Sequence, residues 1–254
     1  MRVLSLASGS SGNSYYISAA NTNILVDCGI SALRAKNKLS EHGIDTSKID
    51  GLFITHEHSD HIKGAFVLAK RFSLPVYMSF KTYSKTDIRP NIEDVHFFSA
   101  GAVFSKGNLD VLPFPVPHDA VDPVGFKFFS DEGDIVIATD TGKITNDLIE
   151  AADGIRALIL ESNHDELMLK NGPYPKYLKA RIASEHGHLS NKEASEFLKN
   201  IDQDKLEALL FCHLSRSNNL PKLVMAKAKE AFAGDFRKTV VQIADQYLVR
   251  DFNL

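Results

Sequence analysis

Gly51-Leu52-Phe53-Ile54-Thr55-His56-Glu57-His58-Ser59-Asp60-His61 is the stretch on which the reading of this chain turns. Leu52-Phe53-Ile54 is a short apolar run and reads as a buried strand. Four side chains of metal-ligand type follow at once: His56, His58, Asp60 and His61. Side chains alternate along an extended chain, so His56 and His58 point one way and Glu57 the other. Ser59 is a good helix N-cap, and Ile62, Ala65, Phe66 and Ala69 continue an apolar helical pattern. Asp60 and His61 then fall on the first turn of a helix, and all four side chains can face one pocket. Imidazole and carboxylate are the usual ligands of zinc and similar first-row metals. The chain has 10 histidines in 254 residues. At that density H-x-H-x-D-H arises by chance in about one such chain in a thousand, so a solvated His-rich loop explains it poorly.

Working outward, three more polar residues stand just beyond apolar β runs. His118 follows 111–117, Asp140 follows 135–139 and His213 follows 209–212. Strand ends are where a rigid sheet can present ligands on one rim. Singly, each is unremarkable, since an Asp before Thr-Gly is commonly a turn or a cap. Jointly with the first four they suit two divalent metal ions. His56, His58 and His118 would hold one, Asp60, His61 and His213 the other, and Asp140 would bridge. Zinc, manganese and iron all accept such donors. His42, His96, His164 and His186 have no such placement and read as solvated or structural.

Composition sets the class. A hydrophobic content of 44% and a charged content of 24% are those of an ordinary globular protein. The length allows one large domain, and 1–254 is read as a single hydrolase domain. No apolar run approaches membrane-spanning length, so no membrane is expected. Met1 to Ala7 is too short for a signal peptide and reads as a first strand. Cys28 and Cys212 sit in apolar sequence and read as buried thiols in a reducing cytoplasm rather than a disulfide. The net charge of −3 lacks the basic excess common in nucleic-acid binders. A metal pair or a local basic cluster can supply positive charge regardless of the total.

Strands are expected at 2–7, 14–18, 23–27 and 72–78, the last holding Pro75 and therefore an edge or a strand start. A helix over 31–42 is stopped by Gly43. Residues 79–94 are polar and mixed and predict no regular element. From 95 to 138 the pattern is β, with a turn at Asp131-Glu132-Gly133. Helices follow at 144–152, 164–170, 174–184 and 220–233. Another, at 190–200, opens with a Ser190/Glu193 capping box. Strands 155–160 and 206–212 lie between helices, and 239–249 closes the chain as β. The alternation predicts an α/β protein (α+β by its segregated hairpins), with two sheets face to face and helices outside, a four-layer αβ/βα sandwich.

H-x-H-x-D-H after a strand, then a His, a bridging Asp and a late His, resembles the metallo-β-lactamase fold superfamily over nearly the whole chain. Asp27, ending an early strand, matches the acid that orients the His loop in that superfamily. Glu161-Ser162-Asn163-His164, Gly187-His188-Leu189-Ser190-Asn191 and His213-Leu214-Ser215 resemble its phosphodiesterase side, ribonuclease Z included. The long Gly-rich insertion that clasps tRNA is missing here. Leu6-Ala7-Ser8-Gly9-Ser10-Ser11-Gly12-Asn13 and His213-Leu214-Ser215-Arg216-Ser217-Asn218-Asn219 resemble the YycJ (WalJ) group, which implies a metal-dependent 5′→3′ DNA exonuclease.

That resemblance implies water activated between two metals attacking phosphorus in line. Asp60, Glu161 and His188 are the candidate catalytic residues. Asp60, with Asp140, helps retain the cations; His188 holds a phosphoryl oxygen or protonates the leaving alkoxide; Glu161 hydrogen-bonds either His188 or a residue that supports a metal ligand. Ser10, Asn13, Ser215 and Asn218, with Ser217, are candidate substrate contacts, since a Ser/Gly loop can bind a terminal phosphate through backbone N–H groups. Lys170, Lys176, Lys179 and Arg181 either track a nucleic-acid backbone or form a solvated helix face. Two other readings share the residues. One is a hydrolase of a small cyclic phosphodiester, lactone or thioester on the same fold, which a narrow pocket would favour. The other is a metal-binding module without turnover, against which stands the size of the ligand set, since structural zinc sites are closed and four-coordinate.

Overall fold

The computed structural model describes residues 1–86 and 92–254. The chain opens as an antiparallel meander of β1 (Arg2–Ala7), β2 (Ser14–Ala19) and β3 (Thr22–Val26). It then crosses over through α1 (Ala32–Glu41), and β4 (Gly51–Phe53), β5 (Val76–Ser79) and β6 (Val95–Phe98) add in parallel. The helices α2 (Ser59–Ile62), α3 (Ala65–Phe72) and α4 (Phe80–Lys85) lie within these crossovers. The second half repeats the plan. Strands β7 (Phe104–Lys106), β8 (Leu109–Pro115), β9 (Val124–Phe129) and β10 (Ile135–Ala138) pair antiparallel. Strands β11 (Ala157–Glu161), β12 (Ala208–Cys212) and β13 (Val240–Ile243) then add in parallel. Around them run α5 (Asn146–Ala151), α6 (Glu166–Asn171), α7 (Lys176–Ile182), α8 (Asn191–Lys199) and α9 (Pro221–Ala231). Finally β14 (Arg250–Asn253) returns to the edge of β1. The two sheets run β14-β1-β2-β3-β4-β5-β6 and β13-β12-β11-β10-β9-β8-β7.

Three apolar layers hold this together. The middle one joins the inner faces of both sheets, with Tyr15, Ile17 and Phe53 from one and Phe126, Ile137 and Leu210 from the other. Phe53 stacks on Tyr77 at 4.7 Å between ring centres and meets Phe126 edge-on at 5.7 Å. Emptying such a position to alanine costs about 3–5 kcal/mol. The outer layers pack α1 and α3 on the first sheet, and α5, α8 and α9 on the second. The result is the αβ/βα sandwich that the alternation predicts. β10, β11 and β12 are buried on both faces, as central parallel strands must be, and so read as unbroken apolar runs.

Local signals explain the helix ends. The Ser31 hydroxyl accepts from Arg34 N, and Ala32, Ala35 and Leu39 form the buried stripe of α1. The capping box at Ser190 and Glu193 is present at the start of α8. Two expectations need correcting and a third is narrowed. The N-cap of α2 is His58 rather than Ser59, so the helix begins one residue earlier and Ser59 lies in its first turn. Of the two places expected for Pro75, the structure shows the strand start rather than an edge: it precedes β5, which is flanked by β4 and β6, and its missing N–H falls just outside the ladder. Instead of one β segment over 239–249, β13 ends at Ile243 and β14 begins at Arg250, in different sheets. Residues 79–94, for which the sequence predicts no element, contain α4; positions 87–91 lie outside the described residues.

Candidate metal centre

Parallel strands of both sheets end at one rim, and five of them lead into polar residues there. Asp27 follows β3, the His56–His61 loop follows β4, Asp140 follows β10, Glu161 closes β11 and His213 follows β12. Asp27, Asp140 and His213 have φ of 58°, 54° and 54°. That left-handed turn costs a non-glycine residue about 1–2 kcal/mol. Here it swings each side chain off the strand into the shared space. Backbone bonds fix the loop: Cys28 N donates to His61 O at 2.8 Å and Asn13 N to Asp60 O at 2.7 Å.

The imidazoles are oriented by their second nitrogens. His61 Nδ1 donates to Asp27 Oδ2 at 2.7 Å. Thr55 Oγ1 donates to Asp27 Oδ2 at 2.8 Å and accepts from His56 Nδ1 at 2.9 Å. His118 Nδ1 donates to Gly187 O at 3.1 Å. His213 Nδ1 lies 2.9 Å from both Glu161 Oε1 and Asp140 Oδ1. Each ring therefore turns Nε2 inward. His56 Nε2 and His213 Nε2 are buried with no hydrogen-bond partner. Buried polar atoms are seldom left so, and a lone pair aimed into a cluster of like donors is what a cation takes up.

The donors fall into groups of metal-binding size. Atoms of His56, His58 and His118 lie within 4.8 Å of one another, as do those of His56, His61 and Asp140, and those of Asp140, Glu161, His188 and His213. Asp60 Oδ2 is 3.9 Å from His61 Nε2 and 3.8 Å from His213 Nε2. All seven residues singled out as ligands in the sequence thus meet at this rim, with Asp140 reaching His61 at 2.9 Å and His118 at 3.9 Å. The donor set fits divalent metal.

Electrostatics follow from the same contacts. Burial opposes charge on His61, but Asp140 and Asp27 on either side overcome it and raise its pKa well above the ordinary value. Asp140 is buried too, yet His213 and His61 hold its carboxyl well below the usual range. His56 and His118 go the other way, with burial pushing both down, so both are neutral at pH 7. Burial likewise opposes ionisation of Glu161, but His188, with His213, brings its carboxyl down to about 2.

Glu161 and His188 stand beside this cluster. Glu161 Oε1 accepts from His188 Nδ1 at 2.8 Å, and Oε2 accepts from Thr141 N at 2.9 Å. Against burial, Glu161 raises the His188 pKa. His188 lines a cavity of about 210 Å³ with Ser10, Asn163, Tyr174, Arg181 and Ser215. Ser10 and Ser215 thus face the space next to His188. Asn13 and Asn218 do not line it, and both are fully buried. Asn13 Nδ2 reaches His61 Nε2 at 3.0 Å, and its Oδ1 accepts from Gly9 N. Asn218 N donates to Ser215 Oγ, and its Oδ1 has no partner. Lys170, Lys176 and Lys179 line a different cavity with His164, whereas Arg181 turns to Asp119.

Several participants escaped the sequence reading. Thr55 links Asp27 to His56, Asp119 Oδ1 lies 3.3 Å from His118 Nε2, and Gly187 offers its carbonyl to His118. Only the adjacency of Thr55 and Asp119 to a ligand histidine marks them in the chain.

Known proteins share this arrangement to different depths. The beta-lactamase superfamily domain matches residues 22–213. The chain is 36% identical over 221 residues to exodeoxyribonuclease YycJ of Bacillus anthracis, across 86% of this chain and 84% of that protein. It is 36% identical over 226 residues to exodeoxyribonuclease WalJ of Streptococcus pneumoniae, across 86% of this chain and 83% of that protein. The metallo-β-lactamase fold protein YhfI from Bacillus subtilis matches in structure with a TM-score of 0.73 at 19% identity, over 99% of each chain. Two mixed sheets with a divalent-metal rim are the mark of the beta-lactamase superfamily, and this chain belongs to it, within the family that includes YycJ and WalJ.

Proposed function

We propose that the chain is a two-metal phosphodiesterase acting as a 5′→3′ DNA exonuclease, with residues 1–254 working as one domain. The observation that carries the substrate is the 36% identity, over 86% of this chain, to two proteins named as exodeoxyribonucleases. His56, His58 and His118 would hold one ion, and Asp60, His61 and His213 the other, with Asp140 between them. Zinc or manganese suits these donors, and iron is accepted by the same set. Bound divalent ions supply Lewis acidity and bring the pKa of water toward neutrality.

The remaining steps belong to the protein. Asp27 and Thr55 keep His61 and His56 in the tautomers that present Nε2. Glu161 fixes His188 through Nδ1 and sustains its proton, so His188 Nε2 can protonate the leaving 3′ oxygen. General acid catalysis of this kind contributes a factor on the order of 10²–10⁴. Ser10 and Ser215 receive the terminal phosphate beside His188. The small cavity there, about 210 Å³, is the one observation favouring a second reading, hydrolysis of a small phosphodiester. The buried free thiols, with Cys28 pushed by burial up to about 12, are consistent with a reducing cytoplasm. Among the described residues no helix is long and apolar enough to cross a membrane.

The test is a nuclease assay on protein stripped of metal and reloaded with Mn²⁺ or Zn²⁺, using end-labelled DNA with a 5′-phosphate. Stepwise loss from the 5′ end, absent in Asp140→Ala, is the expected result. Intact DNA and RNA alongside cleavage of bis-p-nitrophenyl phosphate would replace the exonuclease with the small-substrate hydrolase.

A further inference from the structure

A second cavity, of about 330 Å³, meets the His188 cavity at Ser215, which lines both. Its wall includes Arg216, Tyr247 and Arg250, together with Ser8 and Gly9 of the Ser/Gly loop. Arg216 and Arg250 line it, and Arg34 sits behind it against the wall residues Gln246 and Tyr247. Arg34 Nη2 donates to Gln246 O at 2.7 Å, Arg216 Nη2 to the Tyr247 hydroxyl at 3.0 Å, and Arg250 Nε to Ile243 O at 2.8 Å. The guanidinium carbons of Arg34 and Arg216 each lie 5.3 Å from the centre of the Tyr247 ring.

These arginines cluster at one cleft and lack acidic partners; the other described arginine without one, Arg71, lies over the Phe72 ring. Arg2, Arg156, Arg181 and Arg237 are each engaged by a carboxylate. Arg34, Arg216 and Arg250 form no ion pair among the described residues; each is steadied by a neutral oxygen instead. The acid of the cleft, Asp245, turns its Oδ1 to the backbone N–H groups of Tyr247 and Leu248; Arg250 and Lys38 act on its carboxylate electrostatically but form no ion pair with it among the described residues. A guanidinium has five donors, and one neutral contact leaves the others free for an anion. Stacking and a single hydrogen bond also order the group beforehand, which lowers what binding must lose in side-chain freedom. In a chain of net charge −3 this is a local positive field set beside the metal rim.

We infer that the Arg34–Arg216–Arg250–Tyr247 cleft carries the phosphates of the substrate strand beyond the nucleotide held at His188, and carries them as a single strand. The inference rests on the exonuclease reading. Tyr247 is 63% exposed. An exposed ring among basic side chains is the arrangement that receives unstacked bases and their backbone, and a paired duplex has no free base to offer it. The strand passes Ser215 from one cavity to the other, so a duplex end must fray before it is digested.

The experiment compares Mn²⁺-loaded wild type with Arg216→Gln, Arg250→Gln and Tyr247→Ala. The substrates are a 5′-phosphorylated single-stranded 12-mer and a 5′-phosphorylated dinucleotide. Each arginine variant should raise KM on the 12-mer about tenfold at constant kcat, and so shrink the advantage of the 12-mer over the dinucleotide by the same factor. The salt dependence of kcat/KM on the 12-mer should weaken by about one unit of slope per arginine lost. Arg250 also steadies Ile243, whereas Arg216 is exposed, so Arg216→Gln keeps the test decisive if Arg250→Gln folds poorly. An unchanged 12-mer advantage and salt slope in Arg216→Gln overturn the cleft while the exonuclease stands. A wild type that degrades no oligonucleotide yet cleaves bis-p-nitrophenyl phosphate overturns the exonuclease itself, and the cleft with it.

Discussion

Asp27 Oδ2 lies 2.7 Å from His61 Nδ1, and both side chains are fully buried. The carboxylate also takes Thr55 N at 2.9 Å on its other oxygen. Asp27 thus sets the tautomer of His61 and, through Thr55, that of His56. Asp27→Asn keeps the volume but cannot accept with both oxygens. Metal affinity should fall about 10–100-fold, read by titration against a competing chelator. Wild-type affinity in the variant would remove Asp27 from any orienting role.

His188 and Glu161 separate chemistry from metal holding. His188→Ala should lower kcat on a phosphodiester by about 10²–10⁴ while metal content, measured by mass spectrometry, stays at the wild-type level. Asp140→Ala should lose both activity and metal. Full activity in His188→Ala would take His188 out of the mechanism.

In protein stripped of metal, His213 should contribute, with His61 and His188, to a loss of stability at high pH. Burial opposes its charge, but Asp140 and Glu161 raise its pKa to about 10. A raised histidine pKa contributes stability fully below the unfolded value, near 6.5, and loses it as pH climbs through the folded one. The Tm of stripped protein should therefore fall between about pH 6.5 and 10, and His213→Ala should shrink that fall to what His61 and His188, also raised, contribute. Metal must displace the same proton, so its binding should strengthen with pH across this window. A flat or rising Tm in stripped wild type would contradict the assignment.

Gly29 is required by contact rather than by torsion. A Cβ there would stand 1.6 Å from Asp60 O. Gly29→Ala must push α2 away from the Asn13 loop, destabilising the protein by about 1–3 kcal/mol or more. It should weaken metal binding in parallel, because Asp60 and His61 move together. Urea unfolding and metal titration measure both, and wild-type values in each would show that the contact is not limiting.

Much of this protein is legible in its sequence, and the reason is locality. His56, His58, Asp60 and His61 sit within six positions, so strand alternation and one helical turn suffice to aim them together. β10, β11 and β12 announce themselves as apolar runs, and His213 and Asp140 are marked by following such runs. Even here a boundary slipped: capping signals at His58 and Ser59 differ by one residue, and the backbone geometry of the metal loop decided for His58.

Tertiary structure alone decided which groups complete the centre and what lies beside it. Glu161 meets His188 and His213 because β11 and β12 are neighbours in a sheet, an order no local pattern encodes. Arg34 and Gln246 are 212 positions apart, yet they are hydrogen-bonded, since β14 closes on β1 and brings the C-terminal segment over α1. Residue type and spacing specify what a segment can do on its own. Partners, tautomers and unpaired charges are properties of contacts between segments, and those exist only once the two sheets have closed on their common core.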